Sequence, residues 1–89
     1  MFLHLGADVS IYSDEVIGIF DIKLVSSPTF REFLDVARWN DSIHIIDGKS
    51  KSIVITEKGV YYAPVSRATL ARRWQTQQEF ISPGLGFKV

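Results

Sequence analysis

The pattern of apolar and polar residues predicts six short strands and two helices. Its most complete segment spans residues 51–74, where a strand, a turn, a second strand and a capped basic helix follow one another. Residues 52–56 are mostly β-branched, which favours a half-buried strand. The turn after them ends in Gly59, for which we expect a positive φ. The returning strand at 60–63 ends at Pro64, because proline has no N–H for strand pairing.

Each predicted helix has a start signal and one apolar face. The first begins at residues 26–28, Ser-Ser-Pro, with serine as the N-cap and proline in the first helical position. Its apolar stripe follows helical spacing and consists of Phe30, Phe33, Leu34 and Ala37. Ser66 is the expected N-cap of the second helix. The apolar face of that helix holds Leu70, Ala71 and Trp74, and Arg72 and Arg73 project from the opposite side.

The order of these elements predicts an α+β fold, β-β-β-α-β-β-β-α, with a small, mostly antiparallel sheet and two helices. The other strands are expected at residues 1–5, 9–12, 16–22 and 43–46. In the third strand, alternation places Val16 and Ile19 on opposite faces, and Gly18 leaves room for a bulge or a close neighbour. We predict one domain over residues 1–79. Residues 80–89 form a C-terminal tail whose apolar side chains could fold back or dock on a neighbouring subunit.

Composition points to a small globular domain. The chain has 89 residues, of which 46% are hydrophobic and 22% charged. A core of this size is marginal, so oligomerisation is expected. The absence of cysteine excludes disulfides and thiolate metal sites. No apolar run approaches the roughly 20 residues of a membrane helix, and the N-terminus lacks the pattern of a signal peptide. We therefore predict no membrane association and a cytoplasmic protein.

The net charge of zero hides an asymmetry along the chain. Residues 1–47 carry eight acidic and three basic residues, a net charge of −5. Residues 48–89 carry seven basic and two acidic residues, a net charge of +5. The basic half could contact an anionic polymer, or opposite halves of neighbouring subunits could attract each other head to tail.

The candidate binding site is a set of five cations near and on the second helix, Lys49, Lys51, Arg67, Arg72 and Arg73. Phosphate backbones require cations with sufficient reach and no fixed geometry, so spaced lysines and arginines suffice. Arg67 lies in the first helical turn, where the helix dipole disfavours a cation, which hints at a use for its charge. The alternative interpretation is a solvated surface on which Arg72 and Arg73 complement the helix C-terminus.

Other residues with chemical potential favour structural roles. His4 and His44 are on different strands without cysteine or a suitable carboxylate pattern, so we interpret them as strand histidines and predict no metal site. The sequence has no nucleophile elbow and no phosphate-binding glycine loop. We therefore predict no catalytic residues and no cofactor. Tyr61 and Tyr62 point to opposite faces of one strand, so we expect only one of them in the core. The other is an interface anchor or a stacking platform for a base, and we favour the interface.

Five sequence segments resemble the bacterial extracellular matrix regulators RemA and RemB, and most closely the RemB branch. They are HLGADVSI at 4–11, DEVIGIFD at 14–21, SIVIT at 52–56, VYYAPVS at 60–66 and TLARR at 69–73. The resemblance spans roughly residues 2–74 and includes no catalytic signature. It implies an assembly such as a ring, which holds DNA along a basic surface and regulates extracellular matrix genes. It also implies DNA contact by the turn before the SIVIT strand, which is arginine-rich in RemA-type proteins. Here that turn carries Lys49 and Lys51 and no arginine, which favours weaker DNA binding or a different partner.

Together these observations predict a cytoplasmic, non-enzymatic, DNA-binding transcriptional regulator of extracellular matrix and biofilm genes. Its expected partners are double-stranded DNA, through backbone contacts, and further copies of the chain in a ring or similar homo-oligomer. The alternative is an oligomeric protein–protein scaffold or co-regulator, with a RemA-type subunit as its partner, that does not bind DNA. The zero net charge and the missing arginines favour the alternative.

Overall fold

Two sheets form the framework of the protein. The computed structural model describes residues 1–39 and 42–85, with side chains through residue 37 and from 42 to 76. Strands β1 (Phe2–Gly6) and β2 (Val9–Tyr12) form an antiparallel hairpin, followed by a 3₁₀ turn at Ser13–Glu15. The second sheet contains β3 (Val16–Asp21), β4 (Ile43–Ile45), β5 (Ser52–Thr56) and β6 (Val60–Ala63), in the order β3-β5-β6-β4. Its pairs are antiparallel except for β4 and β6, which are parallel. The predicted α+β fold and its order of strands and helices are confirmed.

Both helices begin where their serine caps predict. Helix α1 (Pro28–Trp39) follows Ser27, whose hydroxyl accepts a hydrogen bond from the amide of Phe30 at 3.4 Å. Helix α2 (Arg67–Leu85) follows Ser66, whose hydroxyl accepts one from the amide of Thr69 at 3.2 Å. Helix α2 therefore continues past residue 79, the predicted end of the domain. The docking expected for the tail concerns side chains outside the described residues.

The four-stranded sheet is covered on both faces, and each face has its own apolar core. Core 1 lies between the sheet, the hairpin and α2, and its buried members include Leu3, Leu5, Ile11, Val54, Ala63 and Leu70. Core 2 lies under α1, and its buried members are Leu34, Ile53 and Val60. Burying one such aliphatic side chain contributes about 1.5–3 kcal/mol. Because Ile53 and Val54 are successive residues of β5, they enter opposite cores, which explains why the middle of this strand, residues 53–55, is continuously apolar.

Tyr61 and Tyr62 correct one prediction. Both side chains are half-buried, Tyr61 against core 1 and Tyr62 against core 2. The expectation that only one of them could join a core is wrong, because it assumed a sheet with a single covered face.

The faces of β3 correct a second prediction. Val16 and Ile19 were expected on opposite faces, but both are buried in core 1. The register between β3 and β5 shifts between Val16 and Gly18, so the predicted bulge at Gly18 is confirmed. The bulge shifts the alternation by one residue and leaves Ile17 with 64% of its surface exposed.

Gly59 corrects a third prediction, because its φ is not positive. Among the described residues, glycines with positive φ are Gly6 and Gly48. A Cβ atom on Gly59 would lie 2.6 Å from the carbonyl oxygen of Ser42. The position therefore needs glycine because the β5–β6 turn approaches the backbone before β4 closely, and not because of the turn's own geometry.

Candidate nucleic-acid interface

Helix α2 lies along both sheets and is tied to each by a hydrogen bond from a side chain to a backbone carbonyl. Arg67 Nε donates to the carbonyl of Ile19 on β3 at 3.3 Å, and Arg73 Nη1 donates to the carbonyl of His4 on β1 at 3.2 Å. Trp74 Nε1 donates to the carbonyl of Ser13 at 3.1 Å. Leu70 is fully buried beneath the helix. The predicted apolar face of α2 is therefore the one that docks on core 1.

The loop between β4 and β5 holds Lys49 and Lys51 beside the start of α2. Lys51 donates its amide proton to the carbonyl of Ala63 at 2.8 Å. Gly48, with φ of 110°, packs so closely on Pro64 that a Cβ atom there would lie 3.0 Å from the proline Cβ. The backbone of this loop is thus fixed, while both lysine side chains are exposed.

The five predicted cations lie on two neighbouring segments, the loop at 48–51 and helix α2. Ser52 follows Lys51 and donates its hydroxyl proton at 2.7 Å to the carbonyl of Val65, two residues before Arg67. Arg72 and Arg73 lie about 8–9 Å further along the helix axis than Arg67, given a rise of about 1.5 Å per residue. We call Lys49, Lys51, Arg67, Arg72 and Arg73 the basic strip, and all five are exposed.

The cations of the basic strip are not neutralised by described carboxylates. The one ion pair within the described part of the chain joins Lys58 Nζ to Glu15 Oε2 at 3.0 Å, outside the strip. Lys49, Lys51 and Arg72 make no side-chain hydrogen bond to any described residue. Their charges remain available for an anionic ligand.

Two of the five cations also have a structural role that the sequence did not predict. Arg67 and Arg73 each use one donor on a backbone carbonyl, but a guanidinium has five N–H donors, and the others remain for a ligand. Their use within the fold explains why Arg67 is placed in a helical turn that disfavours its charge. The sequence does not indicate that the carbonyls of Ile19 and His4 accept these hydrogen bonds, because both lie on strands far from α2 along the chain.

The two histidines have structural contacts. His4 Nε2 donates to the carbonyl of Ala7 at 2.9 Å, and the His44 ring stacks on Tyr61 with centroids 4.9 Å apart. Among the residues whose side chains are described, no group of three or more carboxylate, histidine or cysteine side chains could hold a metal ion. Within the same residues, no helix is long and apolar enough to cross a membrane.

Comparisons with known proteins point to a single family. The model of the RemA-like family, described as extracellular matrix regulatory protein A-like, matches residues 2–74. The chain is also 38% identical over 82 residues to extracellular matrix regulatory protein B of Bacillus subtilis (strain 168). That alignment covers 92% of this chain and 100% of the relative. The family match spans all six strands, α1 and the whole basic strip.

Proposed function

Because this chain belongs to the RemA-like family of extracellular matrix regulatory proteins, we propose that it regulates transcription by binding duplex DNA along the basic strip. It acts as a cytoplasmic homo-oligomer and has no enzymatic activity. Its target genes are those of extracellular matrix and biofilm formation.

The observation that carries this proposal is the set of exposed cations on a fixed backbone. Lys49 and Lys51 are on a loop that is hydrogen-bonded to β6, and Arg72 is on the outer side of α2. These three side chains have no described partner in the fold. Cations that are held at fixed spacing and left unneutralised suit contacts to the DNA backbone, which position a protein without reading sequence.

Oligomerisation would allow a few weak phosphate contacts in each subunit to give useful affinity for DNA. A subunit with about three phosphate contacts gives a log–log salt dependence of about −2.7, and binds duplex DNA weakly at physiological salt. Several subunits in one assembly repeat these contacts at high effective concentration, so the affinity multiplies. When each subunit contacts the next head to tail and the rotation between them closes on itself, the assembly is a ring.

The test measures binding of the full chain to a random duplex at about 50 mM and about 200 mM salt, by fluorescence anisotropy. The reversal variant is Lys49→Glu/Arg72→Glu, which spares Arg67 and Arg73 because these hold α2. The control is Lys23→Glu/Arg31→Glu, which makes the same change in net charge at exposed residues off the strip. We expect salt-dependent binding that falls at least about tenfold in the reversal variant and little in the control. Equal loss in both variants would contradict the basic strip as the interface.

The second candidate function is an oligomeric scaffold or co-regulator that joins a RemA-type subunit and does not contact DNA. Two observations favour it: the net charge is zero, and the loop at 48–51 has lysines but no arginine. Lysine lacks the planar fork with which arginine binds phosphate in two places. An assembled protein without duplex affinity at low salt would support this candidate and refute direct DNA binding.

A further inference from the structure

A cleft separates the turn of the β1–β2 hairpin from the β4 edge of the larger sheet. Its volume is about 480 Å³, within the usual range for small-molecule sites. Residues 7–9 of the hairpin form one wall, and residues 44–47 with Tyr61 form the other. No residue of α2 or of the basic strip lines it, so the cleft is separate from the proposed DNA interface.

The inner surface of the cleft is aromatic and aliphatic. His44 and Tyr61 are neighbours across the β4–β6 pair, and their rings stack at 23° with centroids 4.9 Å apart. Val9, Ile45 and Ile46 supply the aliphatic part of the lining. A flat or short apolar group could therefore lie against these side chains.

The charge of the cleft is negative. Asp8 on the hairpin turn and Asp47 after β4 are both exposed at its walls, and neither lysine nor arginine is among its lining residues. Neither carboxylate has a hydrogen-bond or ion-pair partner among the described side chains. The two aspartates belong to opposite walls of the cleft, so both contribute negative charge to it.

We propose that this cleft binds a small organic cation, an amine or guanidinium carried on a short apolar body. The Tyr61 ring attracts a cation through its quadrupole, and the carboxylates of Asp8 and Asp47 can accept charge-assisted hydrogen bonds from its N–H groups. A phosphate or carboxylate ligand would be repelled by Asp8 and Asp47, which distinguishes the cleft from the basic strip. The inference does not depend on DNA binding.

The experiment is a ¹⁵N–¹H NMR titration of the full chain with butylguanidinium. Pentanoate, which has a similar apolar body and the opposite charge, is the control ligand. We expect saturable shifts at the amides of Asp8, His44 and Tyr61, with a dissociation constant on the order of 1 mM for a ligand of this size. Pentanoate is expected to leave these amides unshifted.

Variants test the two carboxylates directly. Asp8→Asn/Asp47→Asn is expected to weaken butylguanidinium binding at least tenfold, since one lost charge-assisted contact alone is worth about this factor. Asp14→Asn/Asp35→Asn removes the same charge from exposed residues outside the cleft and is expected to bind like the unaltered chain. Shifts that do not saturate, that pentanoate reproduces, or that survive in the cleft variant would overturn the proposal.

Discussion

At the scale of single residues, Gly59 and Gly18 differ in what an added side chain would contact. A methyl group on Gly59 would lie 2.6 Å from a backbone oxygen, that of Ser42. A methyl group on Gly18 would lie 2.8 Å from the outer ring carbons of Phe20, a side chain that can rotate. The backbone obstacle is fixed and the side-chain obstacle is not.

Gly59→Ala is therefore expected to lower the free energy of unfolding by about 1–3 kcal/mol, the usual cost of overpacking. Gly18→Ala, the matched control, is expected to change it by no more than about 0.5 kcal/mol, since the exposed part of Phe20 can move into solvent. Urea denaturation followed by circular dichroism measures both. A similar loss in the two variants would show that the approach to Ser42 is not the constraint.

The Lys58–Glu15 ion pair gives a pH dependence. Lys58 donates a hydrogen bond to Glu15, and this bond, with the attraction of the two charges, raises the pKa of the Lys58 ammonium above its ordinary value of 10.5. Because the pKa is raised in the folded state, the pair contributes fully below the ordinary pKa, and its contribution is lost as pH rises through the raised value. The contribution is small and sensitive to salt, because the lysine is exposed.

Lys58→Met is thus expected to be slightly less stable than the unaltered chain from neutral pH to about pH 10, with the difference disappearing at higher pH. The measurement is the urea midpoint of both proteins across this range, repeated at high salt. A difference that persists unchanged at high pH and high salt would assign the effect to the lost aliphatic packing of Lys58 and not to its charge.

At the scale of elements, the position of a strand in the larger sheet determines how deeply its side chains are buried. Ile53 in the central strand β5 is fully buried in core 2. Ile45 in the edge strand β4 keeps 71% of its surface exposed. The two isoleucines therefore allow the same substitution in two environments.

Ile53→Val is expected to lower the free energy of unfolding by about 0.5–1.5 kcal/mol through the loss of one buried methylene. Ile45→Val is expected to stay within about 0.5 kcal/mol of the original stability. Both are measured by urea denaturation under identical conditions. If Ile45→Val cost as much as Ile53→Val, the β4 edge would be covered in solution, for example by another subunit.

The sequence predicted the elements better than their packing. Alternation, serine caps, and Pro28 and Pro64 are local signals, so the order of strands and helices and both helix starts are correct. Three predictions were wrong: the faces of β3, the burial of only one of Tyr61 and Tyr62, and a positive φ at Gly59. Each depends on contacts between distant segments, which local periodicity does not encode.

For the candidate site, the sequence identifies the charged residues but not their positions in the fold. The five cations could be named because charge is visible in a sequence. Their positions relative to the sheets depend on the hydrogen bonds that set the 48–51 loop and α2 against β6 and β3. The cleft could not be predicted, since its walls come from residues 7–9, 44–47 and 61.

At the scale of the whole molecule, the two helices on opposite faces of the larger sheet differ in their exposed charges. The three arginines of the basic strip are on α2, which covers core 1, whereas α1, which covers core 2, exposes Glu32 and Asp35 together with Arg31. Subunits stacked with the α2 side of one against the α1 side of the next would bring opposite charges together. This arrangement is part of the proposed oligomer.

We expect the mass measured by sedimentation to exceed that of one chain at about 0.05 M salt and to fall at about 0.5 M salt, where screening is strong. Glu32→Gln/Asp35→Gln is expected to weaken the assembly at low salt. Asp8→Asn/Asp14→Asn, which removes the same charge elsewhere, is the control. A mass of one chain at every salt concentration would contradict assembly through these charges.

The bond between Arg73 and the His4 carbonyl joins residues 69 positions apart, so the hairpin is held by a helix that is translated after it. At about 5–20 residues per second, Leu3 and Leu5 emerge roughly 3–14 seconds before α2 is available to help cover them. During that time the nascent chain exposes apolar side chains that are completely buried in the folded protein. Until α2 is made, core 1 lacks part of its cover, and exposed apolar surface of this kind makes incomplete chains prone to aggregate.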